Sequence, residues 1–187
     1  MILSKLEVIN GSNIEISSEN ENDEIFLFDE IEIAYCNQEK KLVLYEDFLC
    51  EGIRSLQKIS QKALTGELEI DEKYFSKGMG YEWNIISNRI ANDEWGTIDI
   101  TSPYALWSTS NKYATATWIY SFKGEIYFEV SPQYKWNYSE PEEDENFIPF
   151  EEFVQNYQFY IKIKIDKENL ISWNEKRANQ ILKKMKG

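Results

Sequence analysis

Apolar residues recur along this 187-residue chain with two different periods, and the switches between them mark its elements. Where they alternate with polar residues, successive side chains point to opposite faces and a half-buried strand is predicted. The clearest case is Ala114–Pro132, ATATWIYSFKGEIYFEVSP, two alternating runs about Phe122-Lys123-Gly124. Read as a three-residue loop with Gly124 in the left-handed region, this turn sets Ser121 opposite Glu125. Ala116, Trp118 and Tyr120 then share a face with Ile126, Phe128 and Val130, while Thr115, Thr117, Glu125, Tyr127 and Glu129 turn the other way. A two-residue Lys123-Gly124 turn would scramble this sorting, so the three-residue register is the one adopted.

The same logic predicts a first hairpin from Leu6-Val8 and Ile14-Ile16 about the turn-rich Asn10-Gly11-Ser12-Asn13. Ser17–Glu24 reads as a polar loop, Ile25–Cys36 as an alternating strand and Lys41–Tyr45 as a shorter one. The period then becomes helical. Phe48, Leu49, Ile53, Leu56, Ile59, Ala63 and Leu64 fall near one stripe of a helix over Asp47–Leu64, with Asp47 placed to cap it and Gly66 just past its end. Gly52 within that helix costs about 1 kcal/mol relative to Ala, which points to a close helix–sheet approach.

Glu67–Ile70 and Trp83–Ser87 read as strands separated by a bend at Lys77-Gly78-Met79-Gly80, and residues 88–111 carry little pattern beyond Ile98 and Ile100. Gln133–Phe147 reads as a loop, Pro149 opens a short helix over Phe150–Tyr157, and Phe159–Ile165 alternates as a strand. Asp166 caps a closing helix, Lys167–Met185, with Leu170, Trp173, Ala178, Ile181, Leu182 and Met185 as its stripe. No repeat or linker divides the chain. The expectation is one domain over residues 1–187, α+β in class, with an antiparallel sheet of hairpins and two main helices packed on it.

Charge narrows the partners. Thirty-three acids against twenty bases give a net −13, which disfavours nucleic acid and anionic membrane and suits a basic protein. The absence of His excludes Ser-His and Cys-His nucleophile systems and His-ligated metal sites, and Cys36 and Cys50 are too few for a four-thiolate zinc site. Both cysteines read as buried free thiols. No phosphate-binding glycine motif occurs, and the acid runs lack the spacing of a calcium loop. The expectation is therefore no cofactor, no metal and no catalytic turnover. MILSKLEVING lacks the apolar core of a signal peptide and reads as a first strand of the mature fold, and no run approaches the ~18 apolar residues of a membrane span, so the chain is expected in the cytoplasm.

Three pieces carry a family likeness: the helix running into ALTGELEI (63–70), the hairpin strand GEIYFEVSPQYKW (124–136) and the closing IKIKIDKENLISWNEKRANQIL (161–182). Their order resembles the small acidic bacterial immunity proteins of polymorphic and contact-dependent toxin systems, over about half of the chain. The resemblance implies an α+β protein that binds and neutralises a toxin, and it carries over no functional residue. Independently of it, the loop Gln133–Phe147 places Trp136 and Tyr138 beside Glu140, Glu142, Glu143, Asp144 and Glu145. That couples anchor residue types to steering charge, and these seven are the candidate partner-binding residues, with Glu19–Glu32 as the next stretch. Two alternatives stay open. One is a glycan- or small-ligand-binding module, or a carboxylate glycosidase, using Trp107, Trp118 or Trp136 as a platform. Of these, Trp118 belongs to the core by the hairpin register. The other is an acidic mimic of nucleic acid.

Overall fold

The computed structural model of the chain describes residues 1–8, 11–19, 24–109, 114–143 and 145–186. It is α+β. β1 (Ile2–Glu7), β2 (Asn13–Ser18), β4 (Glu30–Cys36) and β5 (Lys41–Phe48) form one antiparallel sheet in the order β1-β2-β4-β5. β6 (Ala105–Thr109), β7 (Thr115–Phe122), β8 (Glu125–Pro132) and β9 (Ile161–Ile165) form a second, in that order. A short β3 (Ile25–Phe26) pairs in parallel with β10 (Met185–Lys186). The predicted strand over 25–36 is thus broken at a turn, with Asp29 Oδ2 accepting from Phe26 N at 2.9 Å.

The first sheet follows its alternation: Leu6 faces Ile14, Ile14 faces Tyr35 and Ile16 faces Ile33, all buried in a core shared with the second sheet. Across that core lies α1 (Leu49–Leu64), which buries Ile53, Leu56, Ile59 and Ala63. It starts after an extended Phe48 and not on Asp47, whose carboxylate instead accepts from Phe48 N at 2.8 Å. Gly52 marks the expected close approach. A Cβ there would stand 2.8 Å from Tyr45 Cε1 and 3.1 Å from Ile33 Cδ1, and its carbonyl accepts from Trp107 Nε1 at 3.2 Å.

The closing helix is capped by Asp166, which accepts from Glu168 N and Asn169 N, but it is not uniform. α5 (Lys167–Ser172) and α6 (Asn179–Lys184) are joined by a π-wound stretch, Trp173–Ala178. The wider turn brings residues five apart onto one side, which is how both Trp173 and Ala178 reach the core from a stripe that a straight α-helix would splay.

The hairpin register differs from the sequence expectation. Phe122 faces Glu125, Ser121 faces Ile126 and Trp118 faces Glu129, so Trp118 and Phe128 lie on opposite faces. The loop is the two-residue Lys123-Gly124, both at positive φ (51° and 78°), the handedness that matches strand twist. Polarity misleads here because both faces of the hairpin are covered: every residue of β7 is buried. Ile119, Ile126, Phe128 and Val130 meet α1 and the closing helix. Ala116, Trp118, Tyr120 and Phe122 meet a second core with Met79, Phe75 and Trp83.

That second cover is the other correction. Trp83–Ser87 is not a strand but part of α3 (Gly78–Ala91), preceded by the short α2 (Glu72–Phe75). The two glycines that read as a bend open the helix. Glu67–Ile70 forms only a parallel bridge, with Ile70 N donating to Ser121 O at 2.9 Å and Ser121 N to Leu68 O at 2.8 Å. The short helix α4 spans Phe150–Gln155.

Candidate functional site

Three features surround α3, and each owes its position to that helix. At its start the chain closes over a carboxylate. Glu129, from β8, has no accessible surface; Oε2 accepts from Tyr120 OH at 2.7 Å and Oε1 from Gly80 N at 2.8 Å. The glycines make this possible. A Cβ on Gly78 would lie 2.1 Å from Glu129 Oε2, and one on Gly80 would lie 1.9 Å from Ser131 Oγ. A helix N-terminus presents free N–H groups and a positive dipole end, so it suits a buried anion. Burial still wins over these donors and pushes the Glu129 carboxyl above its ordinary range, with Tyr120, the Gly80 and Met79 amides and the charge of Lys162 opposing. Burial likewise raises Tyr120 and lowers Lys162, whose Nζ donates to Phe75 O. With no accessible surface, Glu129 offers nothing to a substrate, and the arrangement fixes α3 to the sheet.

Further along, Asn84 stitches α3 to the end of β8. Its amide donates to Gly80 O at 2.7 Å and Pro132 O at 2.9 Å, and its Oδ1 accepts from Tyr134 N at 2.7 Å. The chain leaving β8 is thereby set down as the candidate loop. Lys135–Asn137 forms a 3-10 turn, and Glu145 folds back onto it, paired with Lys135 at 2.5 Å and accepting from Trp136 Nε1 at 3.2 Å. These contacts hold the Glu145 carboxyl below its usual range, Lys135 first and Trp136 second. Trp136 packs edge-on against Tyr134 and Phe147.

Of the seven candidate residues, then, Trp136 and Glu145 close the loop on itself. Tyr138 is 74% exposed and stands outward with Glu140, Glu142 and Glu143, while Asp144 lies outside the described residues. Trp107 and Trp118 are buried in different cores and form no platform with Trp136.

The third feature was not legible in the sequence. After α3 the chain turns at Asn92–Ile100, where Trp95 is 98% exposed and Ile98 75%, beside the exposed Ile90 and Ile100. The turn is closed twice: Thr97 N donates to Glu94 O at 3.3 Å and Thr97 Oγ1 to the same oxygen at 2.8 Å, with Gly96 left-handed (φ 85°) between. Asp99 anchors the far side by accepting from Thr101 N at 2.7 Å and Thr101 Oγ1 at 2.6 Å; with Ser102 these hydrogen bonds outweigh burial and hold its carboxyl below the ordinary range. Trp95 is thus presented by a structured turn. An amide relay joins the two loops, for Asn88 Nδ2 donates to Asn137 Oδ1 at 3.0 Å and Asn92 Nδ2 to Asn88 Oδ1 at 3.2 Å. The only sequence signal was a Trp-Gly pair among acids in an unpatterned stretch, which by itself does not separate an anchor from a core residue.

Among the described residues no group of three or more Cys, Asp or Glu side chains is disposed to hold a metal ion, and no helix is long and apolar enough to cross a membrane. Cys50 is buried and Cys36 half-buried, both free thiols. No protein-family model, curated protein or solved structure matches the chain.

Proposed function

We propose that this chain is a non-enzymatic inhibitor that binds a basic protein, a toxin that it neutralises in the cytoplasm in the manner of an immunity protein. The observation that carries this reading is the surface at the outer end of α3. There an almost fully exposed Trp95 with three exposed isoleucines is tied through asparagine side chains to a loop that presents Tyr138 and three acids. Large exposed apolar patches on structured turns mark interaction sites, and Trp and Tyr are the residue types that dominate binding energy. The net charge of −13 adds long-range attraction for a basic partner and repulsion for nucleic acid and anionic lipid.

The test is protection. Co-expression with the product of the adjacent gene should relieve the growth arrest that product causes alone, and the two purified proteins should form a stoichiometric complex whose association slows with added salt. Toxin activity unaffected by an excess of the chain would end the reading. Activity abolished by substoichiometric amounts of the chain would instead identify an enzyme.

A further inference from the structure

Beneath Trp95 lies a cleft of about 420 Å³ between the outer half of α3 and the 94–100 turn. Its walls include Ile86, Ile98 and Ile100, and its charged groups are Glu82, Glu94 and Arg89, with Tyr74 and Thr97 beside them. Arg89 Nε and Glu94 Oε2 form a loose exposed ion pair at 3.7 Å. Glu82 makes no salt bridge among the described residues. Its carboxyl is pushed above the ordinary range because burial outweighs the more distant charges of Lys77, Lys73 and Arg89. A half-buried carboxylate with no salt bridge, in a cleft lined also by an exposed indole and by isoleucines, is an incomplete site. A cation brought to it would restore the solvation it has lost, an aliphatic stem would cover the isoleucines, and the indole face would attract the charge.

Resting on the function proposed above, we infer that this cleft receives an arginine side chain from the surface of the basic protein partner, with Glu82 taking the guanidinium and Trp95 closing over it. Arginine fits better than lysine because its planar guanidinium stacks on an indole, pairs with a carboxylate through two donors and is more weakly hydrated. Trp95 is then the anchor of the interface, and the acids of the 138–143 stretch serve its approach.

The experiment uses the intact chain and a defined probe, the blocked tripeptide Gly-Arg-Gly, with the citrulline peptide as its uncharged isostere. The Trp95 indole N–H resonance, assigned by its loss in Trp95→Phe, is followed during titration. The expected result is a saturable shift in the millimolar range with the arginine peptide, none with citrulline, and affinity weakened about tenfold in Glu82→Gln, equivalent to about 1.4 kcal/mol. Glu82→Gln removes a carboxylate that burial already disfavours, so the fold should persist, as an unchanged spectrum of the other resonances would show. No saturable shift, or an equal shift from citrulline, overturns the inference. So does a concentration-dependent dimer abolished by Trp95→Ala, which would assign the surface to a second copy of this chain. Failure of the peptide while the chain still neutralises its toxin removes the cleft alone, whereas loss of neutralisation removes the reading beneath it.

Discussion

A carboxylate with no accessible surface has exchanged water for a few fixed donors, and for Glu129 the exchange is incomplete, since its pKa stays raised. The sign of the consequence follows from linkage. The unfolded chain loses this proton near pH 4.5, the folded chain at a higher pH, so the stability tied to the protonated form is present below 4.5 and lost as pH rises through the folded pKa. Glu129→Gln removes this dependence. Urea unfolding of the two proteins at a series of pH values should show the variant gaining on the wild type as pH rises above that point; parallel curves would refute the assignment. The glycines around it have no such latitude. Gly78→Ala forces a side chain into both a left-handed backbone and the carboxylate, and Gly80→Ala overpacks Ser131, each costing about 1–3 kcal/mol. Tryptophans should divide just as sharply. Trp118→Ala, which also removes the donor to the Ser131 hydroxyl, should cost about 3–5 kcal/mol, and Trp95→Ala should stay within about 0.5 kcal/mol of wild type by thermal unfolding.

At the scale of elements, the 135–145 clasp is a local device. Glu145→Gln should leave the global unfolding midpoint unchanged while speeding cleavage by a glutamate-specific protease after Glu142 and Glu143, because the Glu145 carboxylate ties the loop to Lys135, Trp136 and the backbone of Glu142. An unchanged cleavage rate would mean that packing of Trp136 on Tyr134 and Phe147 suffices. Elements with one wet face were legible in the sequence: the first hairpin and α1 with its close glycine follow from period, although Asp47 does not cap α1, and the closing helix follows from period and its Asp166 cap but not in its π-wound middle. The central hairpin was legible as an element but not in register, since a ribbon buried on both sides gives polarity no face to report, and Glu129 and Ser131 point inward where alternation sends them out. α3 was hidden by its own first turn, where Gly78 and Gly80 are required by the carboxylate they meet and resemble a loop. Its Met79, Trp83 and Ile86 do carry helical spacing, too short a run to outweigh two glycines.

For the molecule as a whole, the function proposed above requires that charge set the approach to a partner and the apolar turn the residence time. Replacing Glu140, Glu142 and Glu143 by Gln should lower the association rate with the toxin and flatten its salt dependence at nearly constant dissociation rate, whereas Trp95→Ala should act chiefly on dissociation. Stopped-flow binding at several ionic strengths separates the two, and a Trp95 variant that dissociates no faster would move the anchor elsewhere. The connectivity imposes a different kind of constraint. The first strands find their cover in the last helix, with Leu6, Ile14 and Ile33 sharing a core with Leu170, Trp173 and Ile181, and β3 is paired by β10. During synthesis the opening sheet therefore has α1 over β4 and β5 but lacks the cover that the closing helix gives β1 until residues 170–181 have emerged, so premature termination before residue 170 should yield not a smaller folded protein but a substrate for chaperones and proteases.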